Sequence, residues 1–299
     1  MPVISVVIPL YNKVGYVKRA IDSVLRQSFQ DFEVIVVNDG STDGSEKVVE
    51  EYRDSRIKLL HRDKPSQGGH AARNLGIRNA TSDFIAFLDA DDEWKSEFLE
   101  TVLRLRDRYT SAGAYATAYE EKKGDRVKIP KFWFVPEEGI IPDYFKSCVY
   151  GGSPVCTDVV AIPKYIFEDV GYFPEGVRRG GDLDMWARIA LKYPIAFSRY
   201  VGATYYKDIA GSVIKTHTVI EGYRVVSTLE EFLKNNRDIS PERKRYIMEY
   251  ANRFRLSSAA HCIKAGRIDM AKQHLKDCHT RRFFIRKLYL HLHTIFSRK

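Results

Sequence analysis

The apolar run 84–88 ends in Asp89, Asp91 and Asp92, which place three carboxylates within four residues. Carboxylates at this density repel one another unless a cation lies among them. Hard divalent cations take oxygen ligands and often share them with substrate phosphates. The string therefore favours a strand that ends at a metal and phosphate site. The alternative is an acidic turn that caps a helix beginning near Trp94.

Polar side chains also follow the other apolar runs of the first half. They are Tyr11-Asn12, Asp39 and His61-Arg62. Backbone groups between Pro9 and Asn12 can reach a base or a ribose, and the Asp39 carboxylate can accept from a base N–H or a ribose hydroxyl. The alternatives are an ordinary strand-ending turn at Pro9 and a helix-capping role for Asp39.

The elements that must position these groups alternate along the first half. Apolar strands are predicted at 4–10, 32–37, 57–60 and 84–88. Three helices are predicted. The first covers 17–27, the second begins after a cap at Ser41 or Thr42, and the third covers 71–77 after Gly68-Gly69. This alternation predicts an α/β fold with a mostly parallel sheet and helices on both faces. Ligands bind at the carboxyl ends of such strands, so the polar clusters should meet at one nucleotide site.

The rest of the chain is less regular. Strands are predicted at 114–119 and 159–162, a loop at 122–142, and an amphipathic helix after Gly180-Gly181-Asp182. From residue 221 onward the pattern is helical and charged. We place a domain boundary near residue 215, between a main domain 1–215 and a helical C-terminal region 216–299. Within the main domain, 1–92 would form the nucleotide-binding half and 93–215 the acceptor half.

Composition narrows the class of protein. The chain has 299 residues, a net charge of +9 and four cysteines without metal-ligand spacing, which favours reduced thiols in a cytoplasmic protein. Neither an apolar run of transmembrane length nor a signal peptide is recognisable. The positive charge suits polyphosphate substrates, an anionic membrane or nucleic acid. Because no nucleic-acid-binding motif accompanies it, we expect no specific nucleic-acid partner.

Part of the positive charge lies in the tail 281–299, which contains no acidic residue. A helix there would place large apolar residues on one face, namely Phe284, Ile285, Leu288, Tyr289, Leu292, Ile295 and Phe296. Such a helix could lie on the anionic inner face of the cell membrane as a peripheral contact. It could equally pack on the main domain as a terminal helix.

Four motifs resemble those of family 2 glycosyltransferases, and they occur in that family's order and spacing. They are the stretches 6–12 (VVIPLYN), 37–45 (VNDGSTDGS), 68–76 (GGHAARNLG) and 88–92 (LDADD). The resemblance implies a GT-A fold, a nucleotide-diphosphate sugar donor, with UDP-sugars favoured, and an inverting transfer. It also implies a glycan or lipid-linked acceptor, in bacterial surface polysaccharide synthesis.

The resemblance also implies roles for single residues. Asp39 would contact a uracil-type base, Arg73 would lie at the nucleotide, and Asp89 would reach the ribose side. Asp91 would ligate Mn²⁺ or Mg²⁺ together with the donor's diphosphate. His217 lies where some relatives carry a histidine near the diphosphate or the metal. A divalent cation suits the chemistry because the departing nucleoside diphosphate develops negative charge.

An inverting transfer also needs a base that takes the proton of the acceptor hydroxyl. The stretch 179–186 (RGGDLDMW) is similar to the family's Glu-Asp element, and Asp182 aligns with the aspartate that acts as base. Gly181 stands where the family usually has glutamate, which removes a supporting carboxylate. Asp184 is the rival candidate for the base, and helix capping is the alternative role of Asp182.

Two other classes of protein compete with this interpretation. A nucleotidyltransferase would carry a glycine-rich loop with a lysine or arginine after the first strand, and the stretch 9–13 (PLYNK) does not supply one. A non-catalytic nucleotide-sugar-binding protein is the second competitor, because Gly181 departs from the catalytic pattern.

Overall fold

The structure is a computed structural model that describes residues 1–62, 68–209 and 221–296. The strands of these ranges are β1 Ile4–Leu10, β2 Phe32–Asn38, β3 Ile57–His61, β4 Phe84–Phe87, β5 Glu93–Trp94, β6 Ala114–Lys123, β7 Arg126–Lys128, β8 Glu138–Ile140, β9 Val160–Pro163 and β10 Ile195–Tyr206. The helices are α1 Val17–Leu25, α2 Ser45–Glu50, α3 His70–Asn79, α4 Phe98–Arg108, α5 Tyr144–Tyr150, α6 Lys164–Val170, α7 Gly181–Lys192, α8 Arg224–Asn235, α9 Pro241–Lys264, α10 Ile268–Lys276 and α11 Phe284–Phe296. A short 3-10 helix covers Thr157–Val159.

All strands belong to one sheet with the main order β3-β2-β1-β4-β9-β6-β10-β5. The first four strands pair in parallel, and β10 pairs in parallel with β6. Between these two groups β9 runs antiparallel to both β4 and β6. The predicted α/β fold is therefore confirmed, and β9 joins the four parallel strands β3-β2-β1-β4 to the second half of the sheet.

The core lies on both faces of this sheet, as the apolar strands predict. Ile4, Val6 and Ile8 of β1 belong to the apolar cluster that includes α1. Val7, which points to the opposite face, belongs to the cluster that includes α3. Helix α3 packs so closely on β1 that a Cβ atom on Gly76 would lie 2.4 Å from Cγ1 of Val7. This close packing holds the first turn of α3 at the edge where the strands end.

The expectation that a helix begins near Trp94 is wrong. Trp94 lies in the short strand β5 and pairs with Ala203 of β10, and helix α4 begins only at Phe98. The predicted loop 122–142 is likewise only partly irregular, because it contains the end of β6 and the strands β7 and β8. Trp94 and β8 both pair with β10, which is distant in sequence, so local patterns do not indicate these two pairings. In contrast, β7 forms a hairpin with the preceding strand β6.

The predicted helix cap at Ser41 or Thr42 is also wrong, since α2 begins at Ser45 after Gly44. Ser41 and Thr42 bind Asn12 instead. The backbone N–H of Asn12 donates to Oγ of Ser41 (3.1 Å), and Oδ1 of Asn12 accepts from the backbone N–H of Thr42 (2.8 Å). These residues therefore join the loops that follow β1 and β2.

The predicted helical C-terminal region is confirmed, and it shares the core of the main domain. Val225 and Leu229 of α8, and Tyr250 of α9, belong to the same apolar cluster as Trp186 of α7. A smaller cluster joins α9, α10 and α11, and its members include Leu256, Ala259, Cys262, Leu275 and Leu290. The boundary near residue 215 lies outside the described residues, and the division into domains stays a prediction. All four cysteines are free of disulfide bonds in the structure.

Candidate active site

A cavity of about 400 Å³ opens where β1, β2 and β4 end. Because these strands are parallel, their carboxyl ends meet at the same edge of the sheet. The sequence-predicted residues among its lining are Pro9, Tyr11, Asp39, Arg73, Asp89, Asp91 and Asp182. The structure thus brings most of the predicted site residues to one place, although they come from distant parts of the chain.

Two predicted site residues are not in this lining. Asn12 lies beside the cavity, where its hydrogen bonds with Ser41 and Thr42 brace the loop that carries Tyr11. Its backbone φ of 51° lies in the left-handed region that asparagine tolerates. His217 lies outside the described residues.

One part of the cavity wall combines the carboxylate of Asp39 with the aromatic ring of Tyr11, and the guanidinium of Arg62 lies next to this carboxylate. Asp39 is buried and forms an ion pair with Arg62, while its backbone N–H donates to the carbonyl of Leu10 (2.8 Å). Tyr11 is half-exposed at the rim. The pairing of β2 with β3 brings Arg62 to Asp39 across the sheet edge. Groups of this kind can bind a base and a ribose.

Arg73 lies in the first turns of α3, where its buried side chain donates to the carboxylate of Asp89. The loop before this helix needs glycine. Gly68 and Gly69 have φ angles of 86° and 68°, and a Cβ atom on Gly68 would lie 2.5 Å from the carbonyl oxygen of Arg178. The two glycines therefore let the N-terminus of α3 approach the cavity closely, and Arg73 brings positive charge to the acidic string.

Asp158 is a site residue that the sequence analysis missed. It comes from the 3-10 helix before β9, and its Oδ1 accepts from the backbone N–H of Asp89 (2.8 Å). Asp89, Asp92 and Asp158 each offer a carboxylate oxygen, and these oxygens lie within 4.8 Å of one another. We call these three residues the acidic group. The sequence carried one indication of it, because Asp158 is the only charged residue in the stretch 155–162.

Burial raises the pKa values of two members of the acidic group, Asp158 and Asp92. Burial, and then the negative charge of Asp89, raise the pKa of Asp158 to about 7. Burial and the charge of Asp158 likewise raise the pKa of Asp92 well above its ordinary value. One oxygen of Asp92 accepts from the backbone N–H of Tyr206 (2.7 Å), and the other is buried without a partner among the described residues. This orphaned oxygen and its neighbouring carboxylates are a donor set that fits a hard divalent cation.

Asp91 lies outside the acidic group. Its carboxylate forms an ion pair with Nζ of Lys13 at 2.8 Å, and both side chains are largely buried. Lys13 follows β1 and lines the same cavity. The sequence analysis did not consider Lys13 as a partner of Asp91, and metal binding by Asp91 stays a prediction.

The geometry separates the two candidates for the base. Asp182 lines the cavity in the first turn of α7 and is not the capping residue, because the N-cap is Gly180. Burial raises the pKa of Asp182, although the charge of Arg73 opposes that rise. Asp184 is fully buried, and its carboxylate binds Arg188 (2.9 Å) and Thr228. Asp184 therefore anchors α7, and Asp182 is the carboxylate available to a substrate.

A second surface feature lies on α11. Its apolar residues Phe284, Ile285, Leu288, Tyr289, Leu292 and Ile295 are between 46% and 83% exposed, and we call them the α11 face. The helix packs on α9 and α10 through its other side, where Leu290 and Thr294 are buried. The prediction that the terminal helix packs on the rest of the protein therefore holds for the side with Leu290 and Thr294, whereas the α11 face stays exposed. Among the described helices, none is long and apolar enough to span a bilayer.

Aromatic and basic residues extend this surface onto the main domain. The guanidinium of Arg282 lies 4.9 Å from the ring centre of Tyr150, whose ring contacts that of Phe134 at 5.3 Å. The neighbouring Trp133 is 53% exposed. The surface beside the start of α11 therefore combines exposed rings with positive charge.

The parallel half of the sheet ends at an acidic cavity with a buried arginine, and the fold is that of the GT-A class of glycosyltransferases. The chain belongs to glycosyl transferase family 2, whose family model matches residues 5–169, more than half of the chain. The predicted family and fold are therefore confirmed.

Known relatives agree with this assignment. An uncharacterized glycosyltransferase of Rickettsia felis is 34% identical over 195 residues, which cover 64% of this chain and 31% of the relative. TuaG of Bacillus subtilis, named for teichuronic acid biosynthesis, is 34% identical over 159 residues, or 52% of this chain and 62% of TuaG. The chain thus spans about a third of the length of the Rickettsia protein. Residues 1–349 of TarS from S. aureus, solved in complex with UDP-GlcNAc, share the fold with a TM-score of 0.77 and 22% identity, covering 99% of this chain and 89% of that chain.

Proposed function

We propose that the protein is an inverting, metal-dependent glycosyltransferase. It would move a sugar from a UDP-type donor to a glycan or lipid-linked acceptor in bacterial surface polysaccharide synthesis. The observation that carries this proposal is the cavity lined by Arg73, Asp89, Asp91 and Asp182, with Asp92 and Asp158 buried next to Asp89. The UDP-GlcNAc bound by TarS supports the donor class, and the name of TuaG supports the polysaccharide.

The nucleoside would bind beside Asp39. Its carboxylate would accept from the base, with Pro9 and Tyr11 forming the adjacent wall, and Asp89 would reach the ribose side. Arg73 would hold Asp89 in place and add positive charge near the diphosphate. A buried guanidinium is well suited to this task because it stays charged and is already oriented by its carboxylate partner.

Mn²⁺ or Mg²⁺ would be held by Asp91 and the acidic group, together with the donor's phosphates. The orphaned oxygen of Asp92 supports this assignment, since it has no partner among the described residues. When bound, the cation neutralises negative charge on the departing diphosphate. Lys13 could serve the same phosphates once Asp91 has another partner. A metal or diphosphate contact by His217 is part of the proposal, although that residue is outside the described ranges.

Asp182 would act as the general base. Its raised pKa makes it more basic than an ordinary aspartate, which suits proton transfer near neutral pH. The carboxylate takes the proton of the acceptor hydroxyl while that oxygen bonds to the anomeric carbon. The bond from this carbon to the diphosphate oxygen breaks, and its electron pair leaves with the nucleoside diphosphate. Attack opposite the leaving group inverts the anomeric configuration.

The experiment compares donor binding with turnover in matched Asp→Asn variants. UDP with Mn²⁺ should raise the melting temperature of the wild type by mass action. Asp91→Asn should abolish the Mn²⁺-dependent part of this rise. Asp182→Asn should keep it but lower the turnover of UDP-sugars by about 10²–10⁴-fold. Asp125→Asn, which alters an exposed carboxylate, is the control.

Two outcomes would contradict the proposal. Wild-type turnover in the Asp182 variant would exclude Asp182 as the base. Tight UDP binding without any turnover of UDP-sugars in the wild type would favour the non-catalytic nucleotide-sugar-binding protein, the alternative that Gly181 supports.

We also propose that the α11 face rests on the anionic inner surface of the cell membrane. The stretch 278–296 contains no acidic residue, and Arg281, Arg282, Arg286 and Lys287 accompany the exposed apolar side chains. Apolar residues would enter the interface while these basic residues meet anionic headgroups. The exposed Trp133 is of the type that prefers such an interface. A lipid-linked acceptor would be presented at the same surface.

A further inference from the structure

His70 occupies an unusual position in the candidate active site. It is the first residue of α3, lines the cavity together with Asp182, and is only 4% exposed. Its ring stacks on Phe173, with ring centres 5.9 Å apart and planes 8° from parallel. Both ring nitrogens are buried, and neither has a hydrogen-bond partner among the described residues. A buried polar group without a partner is costly, so this ring is arranged for a ligand that the protein itself does not supply.

The glycine at position 181 explains why the ring fits there. A Cβ atom on Gly181 would lie 2.5 Å from Nε2 of His70 and within 2.9 Å of two ring carbons. The backbone φ of Gly181 is not in the left-handed region, so conformation does not demand glycine here. The imidazole of His70 therefore takes the space that any side chain at position 181 would enter. The ring of His70 can therefore adopt this position only because position 181, where the family usually has glutamate, is a glycine.

The charge state of His70 narrows the class of ligand. Burial, assisted by the charge of Arg73, lowers the pKa of His70 to about 3, so the ring is neutral at neutral pH. A neutral imidazole has one N–H donor and one lone pair that accepts. A sugar hydroxyl can satisfy such a group, because it both accepts and donates. Phosphate oxygens only accept, and they would favour a charged side chain such as the neighbouring Arg73.

We propose that His70, whose ring occupies the space left by the missing side chain of Gly181, binds a hydroxyl group of the transferred sugar. This inference rests on the proposed function, which places the sugar beside Asp182. His70 lies against the residue that precedes Asp182, and the charge of Arg73 acts on both side chains. His70 is therefore a specificity-determining residue for the donor sugar, and its position relative to Asp182 sets which hydroxyl it can reach.

The test separates recognition of the sugar from recognition of the nucleotide. Calorimetry would give the Kd of UDP, UDP-GlcNAc, UDP-glucose and UDP-galactose with Mn²⁺ for the wild type and the variants. His70→Leu should leave the Kd of UDP within about twofold and weaken the tightest UDP-sugar about tenfold. His70→Gln, which keeps a donor and an acceptor, should recover part of the loss. Gly181→Ala should weaken UDP-sugar binding as His70→Leu does, because its Cβ displaces the ring of His70. Gly15→Ala is the matched control, because a Cβ at that position meets nothing within 4 Å.

Deoxy analogues of the tightest donor then identify the hydroxyl. One deoxy position should weaken binding to the wild type and cause no further loss in His70→Leu, because both changes remove the same contact. If His70→Leu weakens the binding of UDP and of the UDP-sugar equally, or weakens neither, this inference is overturned while the proposed function stays intact. If the wild type does not bind UDP, both fail together.

Discussion

Asp158→Asn tests the electrostatics of the acidic group directly. Asp158 is 1% exposed, and its Oδ1 accepts from the backbone N–H of Asp89 at 2.8 Å. Asparagine keeps a carbonyl oxygen for this hydrogen bond but carries no charge. The variant therefore removes one titratable carboxyl from the group and changes little else in the local packing.

The size of the effect follows from the pKa of Asp158, which burial and the charge of Asp89 raise from 3.8 to about 7. Because the folded state holds this proton more tightly than the unfolded state, the stabilisation is complete below pH 3.8 and is lost as the pH rises through about 7. Each pKa unit corresponds to about 1.4 kcal/mol. Between pH 5 and pH 8 about two units are crossed, so the wild type should lose up to about 3 kcal/mol that the variant retains.

Urea denaturation in the presence of EDTA at pH 5 and pH 8 measures this difference. The free energy of unfolding of Asp158→Asn should fall less between the two pH values than that of the wild type. Asp125→Asn, with an exposed carboxylate, should follow the wild type. An identical pH dependence in the wild type and Asp158→Asn would refute the claim that burial holds a proton in the acidic group. The same substitution should weaken the Mn²⁺-dependent stabilisation by UDP, since it removes a carboxylate from the donor set.

Three further predictions address other parts of the molecule. Because burial raises the pKa of Asp182, kcat/KM in a pH series should fall on the acid side at a higher pH than an ordinary aspartate would give; an acid limb at the ordinary position would contradict the assignment. Gly76→Ala should lower the free energy of unfolding by about 1–3 kcal/mol in urea denaturation, because its Cβ would lie 2.4 Å from Cγ1 of Val7. Unchanged stability would mean that α3 can move away from β1. Ile285→Ser combined with Leu288→Ser should reduce co-flotation with anionic vesicles about tenfold at an unchanged melting temperature, since both side chains are exposed, and persistent binding would place the membrane contact elsewhere.

Much of the structure of residues 1–92 could be predicted because the sequence patterns that specify it are local. Fully apolar runs such as 32–37 are typical of strands buried on both faces, and the Gly68-Gly69 pair marks the start of α3. Once these elements alternate, parallel pairing follows, and the residues after each strand must meet at one edge. Asp39 and Asp89 could therefore be placed near each other without any knowledge of side-chain contacts.

The contacts that set the chemistry could not be predicted in the same way. Asp158 reaches Asp89 only because β9 inserts antiparallel between β4 and β6. The role of Asp184 depends on Thr228, which belongs to a helix of the C-terminal region. Trp94 is in a strand because β10 runs beside it. Each of these contacts joins residues at least 44 positions apart, and no local pattern records them.

The sequence alone determined the fold class, the family and the edge of the sheet at which the site lies, because hydrophobic periodicity and motif spacing are properties of short segments. Tertiary structure decided which carboxylates share a buried volume, that Asp182 faces the cavity while Asp184 anchors a helix, and that His70 fills the space beside Gly181. The physical reason is that pKa shifts, orphaned polar atoms and exclusion of a side chain depend on burial and on neighbours at a few ångströms. Those neighbours come together only when the chain has folded.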